Sequence, residues 1–488
     1  MIVPTRAEFR ALAAGGRLVP VYRELLADHE TPVSAFRKLD DGAHAFLLES
    51  LEGGEKWGRY SILGSRPAHV FVARGNGCEV IKEGAARPLP GRPADELAAL
   101  LEAHRAVGLP GLPRFCGGAV GYLAHEAAGW FGPASARPGA DPGLPDAVFM
   151  FSDVTAVFDH FTHNMKVVTH ARGGDDPGAA WDAAAARLDE TVARLERPLA
   201  WPGPGAGEAP PEPSSSSSPE RFQAAAARAL ERLRAGDLLR LTLAHRMSTP
   251  VRGSAFEAYR ALRVASPSPC MHFLRLGDLC LAGSSPEVLV RRSDDALEVH
   301  PVAGARPRGR TGDEDRHLED LLLASDRARA EHVMQVDSGR SDLGRLCEYG
   351  TIETPELMRV ERRSRFIHLV SGVRGRARPG IGPLDVVRAC FPAASAAGLP
   401  RSRALEVIAE LEQAPRGVHG GAVGHFDYHG NLELCAARHT LVYRGGTAQW
   451  GAASAVTADS DPRAAWQESL DDARALWLAV RRGEGAPA

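Results

Sequence analysis

Residues 420–444 read GGAVGHFDYHGNLELCAARHTLVYR. The opening GGAVG contains no Walker-type lysine after it, so it reads as a small-residue entry into a strand and not as a phosphate loop. The strand-like run ELCAARHTLVYR closes the segment. The same pentapeptide occurs at 117–121, again running into an apolar stretch. The spacing between the copies is too long for a solenoid repeat. Strand-like runs surround both copies: AFLLESL, HVFVARG, AVFMFSDVTAVFD and MKVVTHA before residue 175, then LLRLTLAHRM, MHFLRL, LCLAGSS, LEVHPVAG and FIHLVSGVRG. Helical patterns fall near 179–196, 219–235, 314–337 and 462–481, the last opening on Asp461-Pro462, an N-cap followed by Pro in the first turn. Strand clusters interleaved with helices predict an α+β fold with large antiparallel sheets flanked by helices.

The stretch 202–220, PGPGAGEAPPEPSSSSSPE, has no large apolar residue and reads as a linker. It divides the chain into 1–201 and 221–485. With 488 residues, 44% hydrophobic and 24% charged, the chain has the composition of a globular protein with a sizeable core. A formal net charge of −3 argues against a partner bound through phosphates. No apolar window is long enough to cross a membrane, and the N-terminus lacks a secretory pattern, so a cytoplasmic protein is expected, with no nucleic-acid or membrane partner. The 7 cysteines are odd in number, scattered and without a CxxC pair, which suits a reducing compartment better than a disulfide framework. Lysine occurs only at 38, 56, 82 and 166. A lysine nucleophile or base is therefore excluded from the C-terminal half, since arginine stays protonated.

Several motifs occur in a fixed order: FLLESLEGGEKWGRYSILG (46–64), SSPEVLVRR (284–292), PVAGARPRG (301–309), AEHVMQVD (330–337), GRSDLGR (339–345), SRFIHLVSGVRG (364–375), FPAASAAGLPRSRALEVI (391–408), GGAVGHFDYHGNLELC (420–435) and TADSDP (457–462). Together they resemble the large subunit of anthranilate synthase. Residues 1–201 are similar to its N-terminal domain and 221–485 to its chorismate-binding domain. The resemblance implies an enzyme that adds ammonia to chorismate, expels a ring hydroxyl and releases pyruvate, in tryptophan biosynthesis.

It also implies roles for particular residues. Glu331 and Glu468 fall where the family holds Mg²⁺, a hard cation suited to carboxylates and water. His368 falls on the acid/base histidine, and Ser395 replaces a threonine while keeping its hydroxyl. Gly398, His419, His439, Ala453 and Ala455 fall on substrate-binding positions. Ser50 of the LLES segment, with Pro269, Cys270 and Met271, falls on the tryptophan feedback pocket. No glutamine amidotransferase signature is present, so ammonia from glutamine would come from a separate small subunit.

This sequence departs from the pattern at definite places. His439 replaces an arginine that receives a substrate carboxylate; the neighbouring Arg438, read as part of a continuous strand, is expected to face away. Asp472 replaces a lysine and reverses its charge. Ala453 and Ala455 replace glycines, and His419 a tyrosine. Ala328 and Ala465 stand where second carboxylates would back the metal ligands. Cys270 replaces an aromatic. Two readings follow: an anthranilate-forming enzyme, or a paralogue that keeps the chorismate-binding scaffold with impaired or altered chemistry. Arg240 stands where isochorismate and salicylate synthases carry a lysine base, and Ala303 where aminodeoxychorismate synthases carry a lysine, which disfavours both.

Overall fold

The structure, a computed structural model, describes residues 1–51, 58–132, 143–199, 208–363 and 366–485. Parts of two motifs (52–57, 364–365) and of the linker (202–207) lie outside the described residues. The strands form a 13-stranded and a 12-stranded sheet among the described residues. Both cross the sequence boundary at 202–220. In the first sheet His44–Glu49 pairs with Cys270–Leu276. In the second, Gly118–Leu123 pairs with Gly421–Asp427, so the two GGAVG copies lie side by side, Gly121 opposite Gly424. The halves of the chain thus share two continuous antiparallel sheets.

Strand alternation sends apolar side chains to both faces of each sheet. Phe46, Leu274 and Leu281 of the first sheet pack against Val120, Tyr122 and Val423 of the second. On the outer side of the first sheet, Leu47, Leu63 and Phe273 meet the helical residues Phe9, Phe36, Tyr259 and Leu476. On the outer side of the second, Phe71, Phe149 and Phe426 meet Leu97, Phe222, Val387 and Ile408. Helices therefore cover a two-sheet sandwich on both sides, as the α+β reading expects. The glycines of GGAVG serve close strand approach: a Cβ on Gly121 would lie 1.8 Å from the Val148 carbonyl oxygen.

The structure refines several sequence readings. AVFMFSDVTAVFD is two strands, Ala147–Phe151 in the second sheet and Val154–Asp159 in the first. ELCAARHTLVYR also divides, into Leu432–Ala437 of the second sheet and Thr440–Arg444 of the first. The helical run 314–337 is two helices, Gly312–Leu323 and Asp326–Gly344, the second capped by Ser325. The serine run is not free linker. Ser214–Ser215 adds an edge strand to Arg240–Pro250, and Ser218 caps the helix Pro219–Arg234.

The expectation of no disulfide is overturned: Cys270 is bonded to Cys435. The partners are 165 residues apart and lie on different sheets, so spacing carried no sign of the pair. The other five cysteines are free and buried. Among the described residues no helix is long and apolar enough to cross a membrane.

Candidate active site

Two neighbouring strands pass from one sheet to the other at the same place. Leu279–Ser285 continues, through Pro286 and Glu287, into Val288–Ser293. Leu432–Ala437 continues, through Arg438 and His439, into Thr440–Arg444. The crossings are stitched together by Ala436 N–H donating to the Glu287 carbonyl at 3.1 Å and Ser284 N–H donating to the His439 carbonyl at 2.9 Å. This seam puts the buried Glu287 near the partly exposed Arg438 and His439.

The strand alternation that would turn Arg438 away from His439 does not hold in the bend between the two strands. His439 Nε2 lies 3.0 Å from Asp472 Oδ1, and Arg438 Nη2 lies 3.6 Å from the same oxygen. Burial pushes the Asp472 carboxyl up, but His439, Arg438 and His419 outweigh it and hold the group at about 2. Its second oxygen, Oδ2, is buried without a hydrogen-bond partner. His419 donates from Nδ1 to the Arg438 carbonyl at 3.0 Å. Burial, with Arg416 nearby, drives the His419 pKa down to about 3, so it is neutral at physiological pH.

Ser395 Oγ donates to Glu287 Oε2 at 2.5 Å. Burial raises the Glu287 pKa, against the opposing pull of Ser395, Arg438, Arg240 and Arg363. A buried carboxyl with a raised pKa, set among polar groups, has the properties of a proton donor. His368 sits in the strand Phe366–Arg376, opposite Ala305. Burial and then Arg363 lower its pKa to about 3. At neutral pH it is therefore an uncharged imidazole, with no imidazolium proton to give.

Arg240 opens the strand Arg240–Pro250, with its side chain 6% exposed. Its Nε lies 3.1 Å from Glu331 Oε1. Its Nη1 donates to Thr242 Oγ1 at 2.9 Å and to the Ala394 and Ser395 carbonyls, each at 3.1 Å. Thr242 Oγ1 in turn donates to the Ser395 carbonyl at 2.8 Å. Glu331 and Ser395 are thus joined through one guanidinium.

Ala453 and Ala455 lie opposite Ala244 and Thr242, on the Arg240 face of the sheet. Ser454 lies between them, opposite Leu243, and faces the other way; its Oγ donates to Glu468 Oε2 at 2.9 Å. Glu331 and Glu468 accordingly share no hydrogen-bond partner among the described residues, and no group of three or more His, Cys, Asp or Glu there is placed to hold a metal. Ala465 is buried in apolar packing and Ala328 packs against Leu322, Ile367 and Leu369. These residues do not fit a divalent ion held between paired helical carboxylates. Gly398 has φ +139°, and a Cβ there would lie 2.4 Å from the Arg240 carbonyl oxygen. Its glycine is explained by backbone packing that seats the Ser395 turn against the Arg240 strand.

Ser50, Pro269, Cys270 and Met271 lie together. They line a cavity of about 550 Å³ with Leu48, Arg59 and Cys435. The Cys270 sulfur is bonded into the wall and is not a free thiol.

Sequence reasoning missed Glu287 and set Arg438 aside as facing away. The signal for Glu287 was a carboxylate directly after Ser-Ser-Pro between two apolar runs. The signal for Arg438 was a charged pair, Arg-His, inside a run otherwise continuous enough for one strand.

Residues 44–477 match the family described as chorismate binding enzyme. The chain is 38% identical over 492 residues to "Anthranilate synthase component 1" of Pseudomonas putida, covering 98% of this chain and 99% of that protein. It is 39% identical to the protein of the same name from Streptomyces coelicolor, covering 99% of this chain and 93% of that one. Among solved structures, anthranilate synthase component I from Streptococcus pneumoniae superposes with a TM-score of 0.78 at 27% identity, over 93% of this chain and 99% of that one. The menaquinone-specific isochorismate synthase of Escherichia coli shares the fold, with a TM-score of 0.71 at 17% identity over 97% of this chain and 98% of that one.

Proposed function

The chain belongs to the chorismate-binding enzyme family, and on that premise we propose that it converts chorismate and ammonia to anthranilate, pyruvate and water, as the large component of a two-component enzyme of tryptophan biosynthesis. The observation that carries this reading is the sheet seam, where the Ala436 N–H donates to the Glu287 carbonyl and Arg438 follows two residues on. A guanidinium there receives a substrate carboxylate in place of the arginine lost at 439. Glu287 holds the proton for the departing ring hydroxyl. Ser395 keeps Glu287 oriented, and His368, neutral until the charge of the dianionic substrate raises its proton affinity, accepts a proton as the ring becomes aromatic.

A separate glutamine amidotransferase subunit supplies the ammonia in this reading. It is supported by the free cysteines of this chain, all buried, with burial pushing thiols such as Cys116 up to about 12, the opposite of a reactive thiolate. Tryptophan acts as feedback ligand in the cavity lined by Ser50, Pro269, Cys270 and Met271, and a cytoplasmic setting is part of the same proposal. Isochorismate chemistry is disfavoured because Arg240 cannot serve as a base.

A second reading, binding of chorismate without turnover, is favoured by one observation: Asp472 already occupies both Arg438 and His439. Fluorescence of anthranilate from chorismate and an ammonium salt separates the two. Product formation supports the enzyme; chorismate binding without product supports the second reading.

A further inference from the structure

We propose that Arg240 takes the place of the divalent cation, so that the site receives its dianionic ligand on protein guanidinium groups and without a metal. The inference rests on the chorismate reading above and deepens it.

Mg²⁺ in such a site needs a carboxylate free to approach at roughly 2.0–2.1 Å, with the remaining positions filled by water and substrate oxygens. Glu331 is not free. Arg240 Nε is 3.1 Å from its Oε1, and the pair is largely buried, 6% and 19% exposed. Arg240 has no way to withdraw cheaply. Its Nη1 is held by Thr242 Oγ1 and by the Ala394 and Ser395 carbonyls, and moving it would cost the buried Ala394 carbonyl this hydrogen bond, while the Ser395 carbonyl keeps the Thr242 hydroxyl.

The second half of a metal site is also missing. Glu468 accepts from Ser454, whose side chain lies on the sheet face away from Arg240. The positions one turn earlier on the two helices, where a carboxylate would steady the ion's waters, are Ala328 and Ala465, and both are committed to apolar packing. A cation that entered here would meet one carboxylate, already neutralised, and a fixed guanidinium of its own sign.

The substitutions therefore form a consistent set. Charge compensation at Glu331 has passed from an exchangeable ion to a covalently attached one, and the outer carboxylates that served the ion's water shell have become alanines. In this assignment the positive charge for a ligand that carries two carboxylates comes from Arg240 and Arg438.

The test uses the full chain. Mn²⁺ is titrated into the ligand-free protein and followed by electron paramagnetic resonance. No stoichiometric site is expected up to roughly 1 mM, and Arg240→Gln should weaken chorismate binding tenfold or more, with or without Mg²⁺. Chorismate affinity by calorimetry should agree within about twofold in EDTA and in millimolar Mg²⁺ for the native protein. The inference is overturned by a native Mn²⁺ site that Glu331→Gln abolishes, by a tenfold or greater gain in chorismate affinity on adding Mg²⁺, or by a folded Arg240→Gln protein that binds chorismate as tightly as the native chain. If Arg240→Gln fails to fold, the native titrations decide. If chorismate binds under neither condition, the functional reading fails, and the Mn²⁺ titration still decides this one.

Discussion

His439 Nε2 and Asp472 Oδ1 lie 3.0 Å apart, which closes onto itself a position where the family's pattern presents an arginine to substrate. The same carboxylate holds Arg438 at 3.6 Å. One negative charge therefore competes directly with an incoming carboxylate for the cations of the seam.

Replacing Asp472 by Asn removes that competitor while keeping its shape. Chorismate should bind roughly tenfold more tightly, a gain of about 1.4 kcal/mol, well within the interaction of two charges about 4 Å apart. Calorimetric titration at low salt and at about 0.5 M salt checks this, since screening should shrink the gain. Unchanged affinity would show that Asp472 does not compete.

Glu287→Gln keeps an oxygen that can accept from Ser395 and removes a carboxyl able to give up a proton. Turnover should fall about 10²- to 10⁴-fold, with chorismate affinity changed less than about fivefold. Steady-state fluorescence with parallel calorimetry reads both. Wild-type turnover in that variant would remove Glu287 from the chemistry.

Much of the fold was readable because strand alternation and turn residues are local signals. The GGAVG copies were recognisable as strands, although only the structure shows them paired with each other. What local signals could not carry is where one run changes sheets. ELCAARHTLVYR looks like a single strand, and a single strand would turn Arg438 away from His439. The bend between the sheets brings both to Asp472. Cys270 and Cys435 were unreadable as a pair for the same reason, since their meeting depends on how two sheets pack. His368, Ser395 and Glu331 stand in recognisable motifs, yet the partners of the last two, Glu287 and Arg240, come from distant segments.

Buried neutral histidines make the fold sensitive to mild acid. Burial lowers His170, His368 and His419 to about 3, and His69, His245 and His272 to about 4. In the unfolded chain each titrates near 6.5. Below that pH the unfolded state binds more protons, so the contribution is complete above about 6.5 and is lost as pH falls toward 3–4. Asp472, held at about 2, adds stability above its unfolded value that is lost only in stronger acid. The melting temperature should drop steeply between about pH 6 and 4, with proton uptake on unfolding approaching one per such histidine. A melting temperature flat across that window would contradict the burial of these groups.

Gly398→Ala tests whether that glycine serves packing or ligand. With φ +139° and a Cβ 2.4 Å from the Arg240 carbonyl, the substitution should cost on the order of 2–4 kcal/mol in the ligand-free protein. Urea denaturation measures it. A variant as stable as the native chain, but weaker for chorismate, would return Gly398 to the ligand.

The account turns on which residue at the seam receives the substrate carboxylate. Calorimetric titration of chorismate into Arg438→Leu and His439→Leu, alongside the native chain, measures this directly. Arg438→Leu should weaken binding about 100-fold, as expected for loss of a charged hydrogen-bonding partner, and His439→Leu less than about fivefold. The reverse order, or near-native affinity in Arg438→Leu, would contradict the assignment of Arg438 as the carboxylate receptor.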